Sequence, residues 1–410
     1  MNTAFSIDDL YLHQRITDLH SAGGVPLAVC AVRSVDREGD KYLSRIWMFS
    51  PDGGSGRQLT AGASSDSLPR VAPDGRSVAF VSDRGGDTQL WLLPLDGGEA
   101  VCGIDGGDER QVSDLNPWWK QRAPLQLESR TFRVPDAKGG TETIHGWLLR
   151  AAGARGPLPL LDDVHGGPAA YAQLDFDTNV FWQVLCSQGW AVLALDPVGS
   201  ASYGSDFCQR LEGHWGEYDF PQHMQAIRQL RAEGVCDERL AISGKSYGGY
   251  MSSWAIGHTD EFRAAIVMAP VGNVETHYGT SDGGYYADPL YTGTHGRTLD
   301  RERARELSPL QYVERATTPT LFMQGADDER CPKCQSEELF VSMMRAGATP
   351  AELVLYPGED HHFLGEGAPS VRADAARRIV DWLHRHAGNG RSASGGPGSH
   401  HSARRGAARL

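Results

Sequence analysis

Ser246 has the sequence context of a catalytic nucleophile. The segment GKSYGGY at 244–250 follows the strand-like run ERLAIS and places the serine in a Gly-x-Ser-x-Gly pattern. At a strand-to-helix turn this pattern holds a serine in a strained conformation with an exposed hydroxyl, and the flanking glycines avoid a clash. The short pattern also occurs by chance in a simple tight turn. The longer segment between a predicted strand and a predicted helix favours a nucleophile.

A serine nucleophile needs a base and an acid, and both follow Ser246 in the order acid, then histidine, that accompanies this turn. One predicted strand leads into Asp327 and Asp328, and a later one leads into His361 and His362. The carboxyl ends of parallel strands share one edge of a sheet, so these groups can converge on the serine. The residues alone leave the choice within each pair open.

A glycine-rich turn upstream is suited to bind a developing negative charge. The predicted strand LLDDV at 160–164 leads into His165-Gly166-Gly167-Pro168. Backbone N–H groups in such a turn can approach an oxyanion, together with the N–H of the residue after the nucleophile. We interpret His165 as structural, because a downstream loop already supplies a base.

From about residue 125 the sequence predicts the scaffold that these groups need. Strand-like and helical stretches alternate, which is typical of a parallel α/β sheet. The predicted strands are 158–164, 191–196, 240–243, 264–268, 320–324 and 352–356, and the predicted helices are 219–233, 247–257, 335–346 and 371–385.

The preceding part of the chain nearly repeats itself. IWMFSPDGG at 46–54 returns as LWLLPLDGG at 90–98, and RQLT at 57–60 returns loosely as RQVS at 110–113. The spacing is close to that of propeller blades and predicts two four-stranded units, which serve as a substrate gate or as an ordinary antiparallel module. Two blades cannot close a ring. We therefore expect this segment to pack on the catalytic domain or across the interface of a homodimer.

Composition excludes several classes of partner. The chain of 410 residues has 39 Lys and Arg against 52 Asp and Glu, a net charge of −13, which argues against nucleic acid. No run approaches the roughly 20 apolar residues of a membrane span. The first 25 residues are charged and unlike a signal peptide, which predicts a cytoplasmic protein. The seven cysteines predict free thiols, and Cys331 and Cys334 alone are a weak zinc signal, so we expect no metal or cofactor.

Four motifs together resemble the prolyl oligopeptidase family of serine peptidases, in the branch of acylaminoacyl peptidases and related bacterial aminopeptidases. HGGP, GKSYGGY, DDERCP followed by Gln335, and YPGEDHHF occur in that order within about residues 125–387. The resemblance implies an α/β-hydrolase fold with a mostly parallel doubly wound sheet, preceded by a short all-β, blade-like segment of a reduced β-propeller. We predict a propeller-like segment at 1–120, the catalytic domain at 121–387 and a disordered basic tail at 388–410.

The resemblance also assigns roles at the site. It implies that Ser246 is the nucleophile, that Asp328 of the Asp-x-Arg-x-Pro motif is the acid, and that His361 after Pro-Gly-Glu-x is the base. The backbone N–H groups of Gly167 and Tyr247 would form the oxyanion hole.

The stretch HYGTSDGGYY at 277–286 lies where relatives build the pocket for the residue before the scissile bond. The resemblance therefore implies that Tyr278, Tyr285 and Tyr286 are pocket walls, although packing aromatics also fit this pattern.

Three features depart from the family pattern. Val198 stands where relatives usually have Arg in Asn-x-Arg-Gly-Ser, which removes a possible anchor for polar substrate groups. Lys245 replaces the usual glycine or small residue before the serine and brings a cation close to it. The shortened propeller weakens the expectation of size selection and of aminopeptidase specificity.

These observations predict a serine hydrolase that cleaves peptide or amide bonds of short or N-acylated peptides through a Ser-Asp-His triad and an acyl-enzyme. The alternative within the enzyme class is an amide or ester hydrolase, or an acyltransferase, acting on a specialised small metabolite. The shortened propeller favours this second reading more than the motifs do. A non-catalytic binding scaffold is a third alternative, which the intact triad disfavours.

Overall fold

The computed structural model describes residues 3–50, 56–84, 88–95, 116–284, 291–294, 298–347 and 349–388. The chain divides into two compact units, formed mainly by Asp8–Arg122 and by Ala123–Gly367. Several sequence predictions fall outside the described residues: Tyr285, Tyr286, the RQVS repeat at 110–113 and all but the first residue of the tail at 388–410. Within the described ranges, no helix is long and apolar enough to cross a membrane.

The described residues of the first unit form two antiparallel sheets. The strands of the first sheet are, in order, β1 (Arg15–Ser21), β2 (Ala28–Asp36), β3 (Lys41–Phe49) and β4 (Arg57–Gln58), and those of the second are β5 (Asp66–Val71), β6 (Ser77–Ser82) and β7 (Gln89–Pro94). Trp47 and Trp91 of the repeat both lie in the third strand of their sheet. In β6 alternate residues are buried, and Phe80 of this strand belongs with Ile46 of β3 to a shared apolar core.

The second unit is built on an eight-stranded sheet, counted over the described residues. Its strands are β8 (Leu125–Pro135), β9 (Thr141–Ala151), β10 (Leu158–Val164), β11 (Ala191–Asp196), β12 (Cys236–Lys245), β13 (Phe262–Met268), β14 (Thr320–Gly325) and β15 (Ala351–Tyr356). Their order is β15-β14-β13-β12-β10-β11-β9-β8. The six strands from β10 onward are parallel, and the hairpin β8–β9 joins β11 in antiparallel orientation.

Helices follow most of these strands. They are α1 (Phe176–Ser187), α2 (Ser205–Gln209), α3 (Phe220–Ala232), α4 (Tyr247–His258), α5 (Val274–Thr280), α6 (Arg301–Glu306), α7 (Cys334–Ala346) and α8 (Pro369–Ala387). Short 3-10 turns occur at Ile7–Leu12, Pro117–Gln121, Ala201–Tyr203, Pro309–Gln311 and Val313–Arg315. Helix α4 is buried on all sides over its first ten residues, which agrees with its apolar composition.

The six predicted strands and four predicted helices are all present, two of the strands with the predicted bounds. The hairpin β8–β9 was not among the predicted elements. Its two strands place polar residues on alternate, exposed positions, such as Thr131 and Arg133 of β8 and Thr143 and His145 of β9, so they lack the continuous apolar run of a central strand.

The loops that carry the candidate site all follow carboxyl ends of parallel strands. Strand β10 ends at Val164 before the glycine-rich turn, and β12 ends at Lys245 before the serine. Strands β14 and β15 end at Gly325 and Tyr356, before the predicted acid and base. The sheet therefore brings four separate sequence motifs to one edge.

Candidate active site

Ser246 occupies a strained turn between β12 and α4. Its φ of 64° and ψ of −119° lie in a region that residues with a side chain rarely adopt. Its N–H donates to the carbonyl oxygen of Met268 on the neighbouring strand (3.0 Å), which fixes the turn. A Cβ atom on Gly244 would come within 2.6 Å of the Gly248 backbone, so the close approach of strand and helix requires glycine.

Asp328 and His361 form a hydrogen-bonded pair next to this turn. His361 Nδ1 lies 2.8 Å from Asp328 Oδ2, which also accepts from Gln324 Nε2 at 3.0 Å. The other oxygen, Oδ1, accepts from the N–H groups of Arg330 (2.9 Å) and Cys331 (2.8 Å). The carboxylate is thus held by four donors, and the pairing places the proton of a neutral His361 on Nδ1 and leaves Nε2 as the base.

The environment of His361 favours the neutral imidazole. Burial lowers the pKa of His361, the contact with Asp328 raises it, and the nearby charges of Lys245 and His362 lower it, with a net downward shift. A neutral histidine near pH 7 can accept a proton, which is the property of a general base. The other members of the two predicted pairs, Asp327 and His362, are both exposed.

A cavity of about 320 Å³ brings the candidate residues together. Ser246 and His361 both line it, and so do Gly167 and Tyr247, whose N–H groups are the predicted oxyanion donors. The structure therefore groups a serine, a histidine paired with an acid, and the two backbone segments in one concave site. Over the described part of the chain, no three His, Cys, Asp or Glu side chains are grouped in a way that could hold a metal ion.

One side of the cavity is aromatic. Trp215 lines it and packs edge-on against Tyr247, with ring centroids 4.7 Å apart, and against Tyr291 at 4.4 Å. Val271 also lines the cavity. Sequence reasoning missed Trp215, although the local signal WGEYD, an aromatic residue before a buried acid and a helix start, precedes α3.

A second part of the lining, called the polar side below, consists of polar residues. His277 Nε2 and the Ser281 hydroxyl both contact the carbonyl oxygen of Arg330, at 2.9 and 2.7 Å. The Cys331 thiol hydrogen-bonds with the side chains of His277 and Ser246, and burial raises its pKa, so the thiol stays protonated. His277, Ser281 and Cys331 all line the cavity. Tyr278, the described member of the predicted tyrosine walls, is half-buried in α5 and is not among the lining residues.

The two residues that depart from the family pattern, Lys245 and Val198, have defined surroundings. The ammonium group of Lys245 donates to the carbonyl oxygen of His361 at 3.0 Å. Val198 is buried, and its N–H donates to Gln222 Oε1 at 2.8 Å, so an apolar side chain lies at the position where the family resemblance predicts Arg. His165 lies 3.0 Å from Ser200 Oγ through Nε2 and 2.7 Å from the Gly166 carbonyl oxygen through Nδ1, which agrees with a structural role.

Comparison with known sequences places these motifs in a family context. A model of the prolyl oligopeptidase family matches residues 175–390, which is more than half of the chain. The uncharacterized peptidase YuxL of Bacillus subtilis is 30% identical over 77% of this chain and 46% of its own length. The acylamino-acid-releasing enzyme of Mus musculus is 31% identical over 57% of this chain and 32% of its own length. The chain thus spans about a third to a half of these curated relatives.

Among solved structures, the acylaminoacyl peptidase of Pyrococcus horikoshii aligns with a TM-score of 0.77 and 16% sequence identity, covering 96% of this chain and 99% of that chain. At this identity the likeness shows the fold. The predicted α/β-hydrolase fold preceded by a short blade-like β segment is therefore confirmed.

Proposed function

The chain belongs to the prolyl oligopeptidase family, and from this premise we propose that it is a serine hydrolase that cleaves peptide or amide bonds of short or N-acylated peptides. The observation that carries the proposal is the 2.8 Å contact between His361 and Asp328 on the same cavity as the strained Ser246. A serine, a neutral histidine and a fully buried, hydrogen-bonded acid are the parts that acyl transfer requires.

The proposed reaction has two halves. His361 Nε2 takes the proton of Ser246 while the serine oxygen attacks the substrate carbonyl carbon, and the carbonyl electron pair moves onto oxygen. The N–H groups of Gly167 and Tyr247 donate to this oxyanion. When the tetrahedral intermediate collapses, His361 gives its proton to the leaving amine and the acyl group stays on Ser246. Water then attacks the ester with His361 again as base. Asp328 holds the imidazole in position and stabilises its charged form.

The cavity supports a small acyl substrate. Its aromatic side, with Trp215 and Tyr247, can pack on one side chain of the substrate, and its volume of about 320 Å³ lies at the lower end of ligand pockets. The name of one relative, an acylamino-acid-releasing enzyme, supports the proposal that short N-acylated peptides are substrates of this chain as well.

A fluorophosphonate probe, which labels activated serines, tests the proposal directly. We expect the wild-type protein to be labelled and to hydrolyse N-acyl amino acid anilides, and Ser246→Ala to lose both properties, with a turnover loss of roughly 10⁶-fold. Ser252→Ala is a matched control, because Ser252 is buried on α4 and donates to the Gly248 carbonyl oxygen. It should be labelled normally. An unlabelled wild-type protein would favour the non-catalytic scaffold.

The polar side of the cavity favours a second candidate function. His277, Ser281 and Cys331 make part of the cavity lining polar, which suits an amide or ester hydrolase, or an acyltransferase, acting on a specialised small metabolite. Cleavage of aryl esters by the wild-type protein, with all peptide anilides left intact and the Ser246→Ala variant inactive, would support this function over peptide cleavage.

We also propose a cytoplasmic protein that needs no cofactor and does not bind nucleic acid. The described cysteines are free thiols, which supports a reducing compartment, and the net charge of −13 would repel phosphate backbones. The homodimer predicted from the short propeller can be checked by analytical ultracentrifugation of the full chain, where a single species at monomer mass would contradict it.

A further inference from the structure

A buried polar cluster contacts Tyr247 and strand β10, which leads to Gly167, and has no part in the reaction steps above. Asp162, Asp219 and His223 are each fully buried. Ionisable side chains seldom lie at such positions, because the charged form loses its hydration unless hydrogen bonds replace it. The partners of these three residues therefore indicate what the cluster does.

Asp219 holds the residue that follows the nucleophile. Its Oδ2 accepts a hydrogen bond from the Tyr247 hydroxyl, and its Oδ1 accepts from the N–H groups of Gly216 (2.9 Å) and Phe220 (3.1 Å). Burial raises the pKa of Asp219 to about 6, and the Tyr247 hydroxyl acts in the opposite direction. At neutral pH the acid is thus a carboxylate that anchors the ring of Tyr247, whose own N–H is the proposed donor.

His223 reaches the strand that leads to the other donor. It lies one turn beyond Asp219 along α3, and its Nδ1 is 2.8 Å from Oδ2 of Asp162 on β10. Strand β10 ends at Val164 and continues into the turn that contains Gly167. One turn of α3 therefore connects to both segments that carry the oxyanion donors.

We propose that Asp219 and His223 are positioning residues that fix the N–H groups of Tyr247 and Gly167 relative to each other, through the Tyr247 hydroxyl and through Asp162. The inference rests on the proposed function. An oxyanion hole works only when its donors lie about 2.7–3.1 Å from the charged oxygen, and the loss of one donor costs roughly 10²–10³ in turnover. A displacement of a fraction of an ångström in either segment would weaken this contact.

Tyr247→Phe is the most direct variant, because it keeps the ring and the backbone N–H and removes only the hydroxyl that Asp219 holds. Tyr250→Phe is its matched control. Tyr250 is also fully buried on α4, but its hydroxyl donates to the Trp215 carbonyl oxygen at 3.1 Å and not to Asp219. Both variants remove one buried hydrogen bond from the same helix, so their melting temperatures report the common structural cost.

The measurement compares two inhibitors, N-acetyl-phenylalaninal and N-acetyl-phenylalaninol. The Ser246 oxygen adds to the aldehyde carbon, its proton passes to His361, and the former carbonyl oxygen occupies the oxyanion hole; the alcohol cannot form this adduct. We expect Tyr247→Phe to lower the ratio of aldehyde to alcohol affinity at least ~10-fold, with a matching fall in kcat and an unchanged KM. Tyr250→Phe should keep the wild-type ratio.

Variants of the other two residues extend the test. Asp219→Asn should lower the same ratio of aldehyde to alcohol affinity, because an amide oxygen accepts a hydrogen bond from the Tyr247 hydroxyl less strongly than a carboxylate oxygen does. His223→Leu should lower it as well, whereas His223→Gln, which retains an N–H donor for Asp162, should restore most of it. A purely structural role would lower melting temperature without moving the ratio.

The outcomes separate two kinds of failure. If the wild-type protein binds the aldehyde much more tightly than the alcohol and Tyr247→Phe and Asp219→Asn keep that preference, the positioning role is overturned and the proposed function stands. If the wild-type protein shows no preference and is not labelled by the fluorophosphonate, the proposed function fails and the positioning role with it.

Discussion

Lys245 donates a hydrogen bond from its ammonium group to the backbone carbonyl oxygen of His361, at a distance of 3.0 Å. The lysine precedes the proposed nucleophile and the histidine is the proposed base, so one cation links the two loops that carry them. Burial lowers the pKa of Lys245, and nearby charges, the carboxylate of Asp328 first among them, raise it. The cation in turn lowers the pKa of His361.

Replacing Lys245 with Met should move the acid limb of kcat/KM to higher pH. The neutral form of His361 is the active base, and a nearby cation disfavours the imidazolium. Without the cation the imidazolium forms at a higher pH, so activity is lost earlier as the pH falls, by about 0.5–1 unit for an interaction of ~1 kcal/mol. Lys245→Arg keeps the charge and should keep the limb. If the acid limb of kcat/KM lies at the same pH in the Met and Arg variants, the charge of Lys245 does not act on His361.

Asp328→Asn should lower kcat about 10⁴-fold. The amide changes the hydrogen-bond pattern at His361 Nδ1 and favours the wrong tautomer, as in other triads. Asp327→Asn is a matched control, because Asp327 is adjacent and exposed. It should stay within about twofold of the wild-type rate in a steady-state anilide assay. A similar loss of kcat in both variants would contradict the assignment of Asp328 as the acid of the triad.

His277→Phe should change which acyl groups are accepted. Phe would replace the polar imidazole of the cavity lining with an apolar ring, and the loss of one polar neighbour of a phenol hydroxyl is worth about 1 kcal/mol, or roughly fivefold in rate. We therefore expect the ratio of kcat/KM for N-acetyl-tyrosine anilide over N-acetyl-phenylalanine anilide to fall about fivefold. Tyr278→Phe, one residue along α5 and outside the cavity lining, should leave the ratio unchanged. A fall in both variants would place Tyr278 in the pocket instead.

The sequence predicts well those parts of the site that local chain geometry determines. Ser246 lies in a tight turn that itself requires the flanking glycines and the positive φ of the serine. The residues that follow β14 and β15 lie at the same edge of the sheet as Ser246, because the strands are parallel. The blade-like sheets follow equally from a repeat that places Trp47 and Trp91 in the third strand of their respective sheets. Each of these patterns is contained in one short segment.

Side chains that meet only in the folded chain could not be predicted in this way. Trp215 reaches the cavity from the turn before α3, and His277 reaches it from α5, so neither has a spacing that indicates contact with Ser246. Lys245 was expected close to the nucleophile, but its hydrogen bond to His361 joins residues that are 116 positions apart. The acids of β10 carry no signal of their partners either, although two adjacent aspartates in a central strand are unusual.

Asp163 on β10 should make the stability of the protein depend on pH. It is half-buried, with Trp182 Nε1 donating to Oδ2 at 3.0 Å and the Ser243 hydroxyl donating to Oδ1. Burial raises its pKa to about 6, whereas Ser243 and Trp182 lower it. In the unfolded chain an Asp carboxyl has a pKa near 3.9, so between about pH 4 and 6 the folded protein binds one proton more than the unfolded chain. The folded state therefore loses stability as the pH rises through this window.

Over the whole window the free energy of unfolding falls by ~3 kcal/mol because of this higher pKa. About 1 kcal/mol of that fall occurs between pH 5 and 7. Asp163→Asn can keep both contacts, its carbonyl accepting from Trp182 and its amide donating to Ser243, but it does not titrate. In urea unfolding, the wild-type minus variant free energy should therefore fall by ~1 kcal/mol from pH 5 to 7. The Asp327→Asn variant, at an exposed position, should show no such trend. If the wild-type minus Asp163→Asn free energy of unfolding does not change with pH, Asp163 is already ionised at pH 5.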